Sequence, residues 1–189
     1  KSFQIKNLQK LCALPNGANF SVPGAGKTTD AIGFYTFNRI KNNSKLLVIG
    51  PLNSFPAWEE DIKECLGADK EVVRLRGDIS DIDPLLKLSN EFQIINYESL
   101  RNSKKLIAIQ TFLIDNPATT LILDESHKAK AEKTFELLKE ISLFPKYKMI
   151  LTGTPMPQSP DDLNSQFSFL YPMHSINDSH EFLDAFQPF

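Results

Sequence analysis

The sequence predicts an α/β domain built in three layers, a mostly parallel central sheet between two layers of helix. Three observations carry this. Short, continuously apolar runs such as Leu46-Leu47-Val48-Ile49 recur at strand length. Stretches with apolar residues at helical spacing separate them. A glycine-rich turn, Pro23-Gly24-Ala25-Gly26, joins a strand-like run to a helix-like one. Fully apolar strands alternating with helices imply βαβ units and a parallel sheet covered on both faces.

Each element follows from its local pattern. Ile5, Leu8, Leu11 and Cys12 sit at helical spacing, and Pro15-Asn16-Gly17 ends that helix. Ala18 to Val22 reads as a short strand and Lys27 to about Ile40 as a helix. Leu46 to Ile49 reads as a strand. Trp58, Ile62, Cys65 and Leu66 share one helical face that stops at Gly67. Val72 to Leu75 reads as strand, 81–89 as helix, Phe92 to Asn96 as strand and 98–114 as helix. Thr119 to Leu123, helix 132–142 and Lys148 to Leu151 continue the alternation. A helical tail from 160 to 187, interrupted near Pro172, completes it.

At 189 residues the chain is the size of one domain, here read as 1–189. Folding at that size hides about 70% of the chain's surface, so a core forms without disulfide staples. The composition, 41% hydrophobic and 23% charged, excludes a disordered, collagen-like or disulfide-framed chain. No apolar run reaches the 18 or so residues of a membrane helix. Cys12 and Cys65 lie far apart with no CxxC, which reads as two reduced, buried thiols in a cytoplasmic protein. A net charge of −2 is unlike a domain that grips nucleic acid alone, which is usually strongly basic. Nothing near the start looks like a signal peptide; beginning at Lys1 rather than Met suggests a piece of a longer protein, or a processed terminus.

The segment Ser21-Val22-Pro23-Gly24-Ala25-Gly26-Lys27-Thr28 carries the most chemistry. It follows the phosphate-binding pattern G-x-x-x-x-G-K-[ST], with Ser21 in place of the first glycine. Glycines let the backbone wrap around phosphates, and the following helix offers its positive end to the same anion. Lys27 would reach the β- and γ-phosphates of a nucleotide, and the Thr28 hydroxyl would hold Mg2+. The bland alternative is a glycine-rich helix cap with a solvated lysine.

Leu121-Ile122-Leu123-Asp124-Glu125 is an apolar strand ending in two carboxylates. The carboxyl ends of strands are where open α/β sheets bind ligands. Asp124 would hold Mg2+ and Glu125 would orient and deprotonate an attacking water. Alone, such a pair is as readily a helix N-cap. Paired with the loop at 21–28 it makes a phosphoryl-transfer site.

The order of motifs resembles superfamily 2 helicases, in particular the first RecA-like P-loop NTPase lobe of their Swi/Snf-type translocase branch. Ser21 to Thr28 resembles motif I, and Asp124-Glu125-Ser126-His127 the DEAH-type motif II with Ser126 for Ala. Leu151-Thr152-Gly153-Thr154-Pro155 is similar to motif III in that branch's form. Val48-Ile49-Gly50-Pro51, with Ser54 and Trp58, resembles motif Ia, and Ile95 to Leu100 motif Ib. Phe3-Gln4 resembles the end of the Q motif, and Leu163 to Pro172 the segment that closes the lobe.

This resemblance implies roles. Gln4 would read adenine. Gly24, Ala25, Gly26, Lys27, Thr28 and Thr29 would surround the nucleotide. His127, Thr152 and Thr154 would couple nucleotide state to nucleic-acid contact. Pro51, Ser54, Tyr97 and Ser99 would touch the sugar–phosphate backbone, without sequence specificity. It further implies double-stranded DNA as partner, a second RecA-like lobe in the same full chain, and no membrane. The segment Met156-Pro157-Gln158-Ser159 departs from the family, where Gln-Asn often follows T-G-T-P. Nothing after Pro172 resembles motifs IV to VI, which in the family belong to the second lobe and bring arginine fingers. The expectation is therefore an ATP-hydrolysing DNA translocase or helicase lobe, weak or inactive alone. The rivals are a P-loop switch indifferent to nucleic acid and a non-catalytic module with the same fold. Trp58 reads as a core anchor before a base platform, the 14 Phe as core, and His174 and His180 have no ligand spacing.

Overall fold

A computed structural model describes residues 2–42, 44–88, 90–129, 132–155 and 161–173. The Met156–Ser159 departure, His174, His180 and the end of the helical tail lie outside them. The strands are β1 (Asn16–Asn19), β2 (Leu46–Gly50), β3 (Val72–Arg74), β4 (Phe92–Asn96), β5 (Thr120–Asp124) and β6 (Tyr147–Leu151). The helices are α1 (Ser2–Leu11), α2 (Lys27–Asn42), α3 (Phe55–Leu66), α4 (Ile79–Lys87), α5 (Ser103–Asp115), α6 (Glu132–Ile141) and α7 (Asp161–Leu170).

The strands form one six-stranded sheet in the order β1-β6-β5-β2-β4-β3. Every pair is parallel. β2, β5 and β6 are buried along their whole length, the signature of strands covered on both faces. Alternation along the strands sorts side chains to two cores. Leu47, Ile49, Leu121 and Leu123 face α4, α5, α6 and α7, where they meet Ile82, Ile109, Leu138 and Phe169. Leu46, Val48, Ile122 and Met149 face α2 and α3, where they meet Phe34, Trp58 and Ile62, with Leu8 and Leu11 of α1 packed at the margin. The three-layer expectation is met.

Three boundaries differ from the sequence reading. β1 runs over Asn16–Asn19 rather than Ala18–Val22. Parallel pairing of Asn16 with Lys148 and Asn19 with Leu151 draws the Asn16-Gly17 turn signal into the sheet. Residues 98–114 do not form one helix. A 3-10 turn occupies Tyr97–Arg101, and α5 starts afresh behind Asn102. The Asn102 side chain accepts from the amides of Lys104 and Lys105 at 3.1 and 3.2 Å, a local cap that outcompetes helix continuation. α4 begins at Ile79, where Asp78 and Asp81 form a reciprocal capping box.

The cysteines are also corrected in part. Neither is in a disulfide, but Cys65 is exposed and Cys12 half-buried, so neither is a core thiol. Partial burial and the carboxylates of Asp61 and Glu64 push the Cys65 thiol up. No described helix is long and apolar enough to cross a membrane.

Candidate nucleotide site

The carboxyl ends of β1, β2, β5 and β6 bring the motif residues to one edge of the sheet, where open parallel sheets place their ligands. There, a cavity of about 510 Å³ is lined by Gly24, Gly26, Lys27, Thr28 and Thr29 on one side and by Asp124 and Glu125 on another. The sheet thus brings residues a hundred positions apart into one wall.

The glycine-rich loop is anchored at its root. Asn19, at the end of β1, donates through Nδ2 to Asp30 in α2 at 3.0 Å and accepts from the Ser21 amide at 3.1 Å. Burial raises the Asp30 carboxyl, and the Asn19 contact opposes that shift. Gly24 and Gly26 both have positive φ, 76° and 86°, so the turn needs residues without a Cβ. At Gly26 there is a second reason. A Cβ there would lie 2.5 Å from Nε2 of Gln4, so the α1 side chain rests against the loop. Lys27, at the first position of α2, donates through Nζ to the carbonyls of Ser21 and Val22, at 3.1 and 3.4 Å.

The acidic side is equally fixed. Asp124 is 8% exposed. Its Oδ2 accepts the indole N–H of Trp58 at 3.0 Å, and its carbonyl accepts the Tyr97 hydroxyl at 2.8 Å. Gly50, the last residue of β2, admits it: a Cβ there would stand 3.1 Å from the Asp124 Cβ. Among the described residues Glu125 is the one non-glycine with positive φ, 48°. Such a conformation in a non-glycine residue is uncommon and costs about 1–3 kcal/mol, a feature that concentrates at functional sites. It turns the chain off β5 and places Glu125 on the cavity wall.

A side-chain relay leads away from Glu125. His127 Nδ1 lies 3.2 Å from Glu125 Oε2 and 2.9 Å from Thr152 Oγ1. Thr152 is fully buried and its hydroxyl oxygen accepts the Thr154 amide at 3.1 Å. The segment at 151–155 also touches the glycine-rich loop, where Gly153 packs on the ring of Pro23. Ser126 donates to Gln166 of α7, whose Nε2 donates to the Pro155 carbonyl at 2.7 Å. The two motif loops are therefore tied to each other directly and through α7.

The residues assigned to the sugar–phosphate backbone do not form one exposed face. Pro51 and Ser54 line the cavity itself, and the Ser54 hydroxyl donates back to the Pro51 carbonyl at 2.9 Å. Tyr97 is 4% exposed, with its hydroxyl committed to Asp124; burial is the main cause that pushes the phenol well above its ordinary value. The Ser99 hydroxyl donates to Asn96 within the turn. The Tyr97 ring instead joins the core that holds Ile95 and Leu100. Sequence reading missed Asp61 and Gln166. Asp61 lines the cavity together with Thr28; burial raises its carboxyl, and the Thr28 hydroxyl opposes that shift. Its position three residues after Trp58 on a helix was the available signal.

Comparison with known proteins bears on the family and the fold. The ATP-dependent DNA helicase DDM1 of Arabidopsis thaliana is 30% identical over an alignment that takes in 100% of this chain and 25% of that protein. The SWI/SNF chromatin-remodeling complex subunit snf22 of Schizosaccharomyces pombe is 26% identical over 91% of this chain and 10% of its own length. Among solved structures, the Sulfolobus solfataricus SWI2/SNF2 ATPase core in complex with dsDNA superposes with a TM-score of 0.72 at 26% identity, covering 96% of this chain and 37% of that one. The chain thus spans a quarter or less of these two relatives and over a third of the solved core. The family model described as SNF2-related domain matches residues 16–189, from β1 onward through every motif loop of the cavity. With fold, motif order and profile in agreement, this chain belongs to the SNF2-related domain family.

Proposed function

We propose that this domain is the ATP-binding lobe of a motor that hydrolyses ATP to move along double-stranded DNA. The observation that supports this most is the convergence of Lys27 and Thr28 with Asp124 and Glu125 on one cavity at the carboxyl edge of the sheet. Lys27 and the loop amides bind the phosphates, exchanging the Ser21 and Val22 carbonyls for phosphate oxygens. Gln4 rests on the loop at Gly26 and would read the base.

The donor set fits Mg2+. A hydroxyl and a carboxylate are hard oxygen ligands, and both line the cavity. Among the described residues no three His, Cys, Asp or Glu side chains form a cage. That suits a cation that keeps waters and takes phosphate oxygens rather than one held by protein alone. Thr28 and Asp124 would hold it, and when bound it neutralises charge on the transferring phosphoryl group. Glu125 orients the attacking water and takes its proton as the water oxygen bonds to the γ-phosphorus and the bond from that phosphorus to the bridging oxygen breaks, leaving ADP and phosphate. His127 bridges Glu125 to Thr152, a route by which nucleotide state reaches the segment ending at Thr154.

DNA as the track is supported by the solved SWI2/SNF2 core captured with dsDNA. The domain's net charge of −2 supports shared contact, with a second lobe supplying further phosphate contacts and the arginine that speeds hydrolysis by about 10³–10⁵ in related NTPases. In the full-length protein, Lys27→Ala and Glu125→Gln should each abolish DNA-stimulated ATP hydrolysis. Turnover that persists in both, or that ignores DNA in the wild type, would refute the proposal.

A further inference from the structure

Helix α3 places two side chains beneath the cavity, one turn apart: Trp58 and Asp61. Trp58 is 1% exposed, and its indole N–H reaches Asp124 Oδ2 at 3.0 Å. Asp61 lines the cavity together with Thr28; burial raises its carboxyl, and the Thr28 hydroxyl opposes that rise. Thr28 belongs to α2 and Asp124 to β5, so one helix holds Asp124 directly and presents Asp61 to the cavity that Thr28 lines. We propose that α3 is the positioning element of the metal half of this site, with Trp58 orienting Asp124 and Asp61 orienting Thr28. The inference rests on the reading of Thr28 and Asp124 as the residues that hold Mg2+.

The chemistry of each pair suits the task. An indole N–H can only donate. It fixes one carboxylate oxygen and leaves the other for the metal's shell. It is also neutral, so it orients Asp124 without cancelling the negative charge that attracts a cation. A lysine or arginine there would compete with the metal. A threonine hydroxyl has one proton and two lone pairs. Giving the proton to Asp61 turns the lone pairs toward a cation and adds negative charge beside it. Trp58 and Asp61 therefore play the part that outer-shell partners play for metal ligands, where their loss costs about 10–100-fold in metal affinity.

The helix is built to hold still. Phe55, Trp58 and Ile62 bury one face against the sheet, and Pro56 sits in the first turn. Arg74 of β3 makes a two-pronged ion pair with Glu59, on the turn between the two positioning residues. Gly50 removes the Cβ that would hold Asp124 away from the indole side of the cavity.

The test measures affinity of the full chain for a fluorescent ADP analogue across a Mg2+ series and in EDTA, together with thermal stability. Trp58→Phe keeps a buried ring and removes the donor; Asp61→Ala removes the acceptor, and Asp61→Asn retains an acceptor oxygen. In Trp58→Phe and Asp61→Ala the Mg2+ concentration for half-maximal tightening should rise about tenfold, with affinity in EDTA changed less than about twofold. Asp61→Asn should lie nearer the wild type than Asp61→Ala. Unchanged Mg2+ dependence in Asp61→Ala overturns the proposal, whatever the stability of the Trp58 variant. So does equal weakening with and without Mg2+ alongside a lowered Tm, the mark of a merely structural role. Asp124→Asn separates the failures. If it shifts the Mg2+ dependence and the α3 variants do not, the positioning role alone falls. If it too changes nothing, the metal reading falls and takes this inference with it.

Discussion

Replacing Gly26 by alanine should separate base reading from phosphate binding. Two costs arise at that position. The backbone φ of 86° puts any L-residue in the left-handed region, at about 1–2 kcal/mol. The new Cβ would also fall 2.5 Å from Gln4 Nε2, a distance that real contacts do not reach. The loop is anchored through Asn19 and Asp30, whereas Gln4 can move its amide by rotation about its own side-chain bonds. Gln4 therefore gives way before the loop does. Gly24→Ala is the matched control, because φ there is 76° but a Cβ would meet nothing within 4 Å. Both variants should lose about 2–8 °C in Tm from backbone strain. Only Gly26→Ala should lose discrimination of ATP from GTP. A glutamine amide reading adenine is worth about 1–3 kcal/mol, so the affinity ratio should shrink about 5- to 150-fold. The assay is competition of ATP and GTP against a fluorescent ADP analogue. An unchanged ratio in Gly26→Ala, or an equal fall in Gly24→Ala, would refute the argument that Gln4 reads the base from its seat on Gly26.

Tyr97→Phe strips the hydroxyl from the buried Asp124 carbonyl, which should destabilise the fold by about 1–3 kcal/mol and lower Tm by about 2–12 °C, with no change in the salt dependence of DNA binding; an unaltered Tm with weakened DNA binding would instead make Tyr97 a backbone contact. Lys148 is 5% exposed on β6, and burial pulls its amine down to about 8. The unfolded chain then holds more protons than the fold between pH 8 and about 10.5, so this group's penalty applies in full below pH 8 and is relieved as pH rises through that window. Lys148→Met removes this pH dependence along with the Nζ donor to the Ser142 carbonyl, so the wild type should gain stability relative to the variant as pH rises from 8 to about 10.5; denaturant midpoints at both pH values check it.

Much of the fold was legible because its strands are fully apolar. Leu46–Ile49 and Leu121–Leu123 have no other stable place than the middle of a covered sheet. β1 was harder: Asn16-Gly17 carries a turn signal, and only its pairing with Lys148 and Met149, far along the chain, makes it a strand. The break at Asn102 turned on one side chain capping two amides. The phosphate and acidic loops were legible since backbone wrapping and charge placement require those residues at those spacings. What spacing could not show is what lies beneath them. Trp58 reads as a core anchor, and it is one, but its N–H also meets a carboxylate 66 positions away. The resemblance implies a sugar–phosphate contact for Tyr97; its contact with Asp124 depends on β4 and β5 flanking β2 in the sheet.

The contacts of Lys27 with the Ser21 and Val22 carbonyls bear on how the site empties as well as how it fills. The loop supplies its own stand-in for phosphate oxygen, so the ammonium is never stripped of partners between ligands. Under the proposed reading, arrival of nucleotide is an exchange of one set of oxygens for another, and part of the attraction of Lys27 for phosphate is spent displacing the carbonyls. Departure of spent nucleotide is correspondingly easier, since the lysine swings back to a ready seat instead of into bare solvent. A motor must discard its product each cycle, and a loop that competes mildly with its own ligand favours turnover over tight retention.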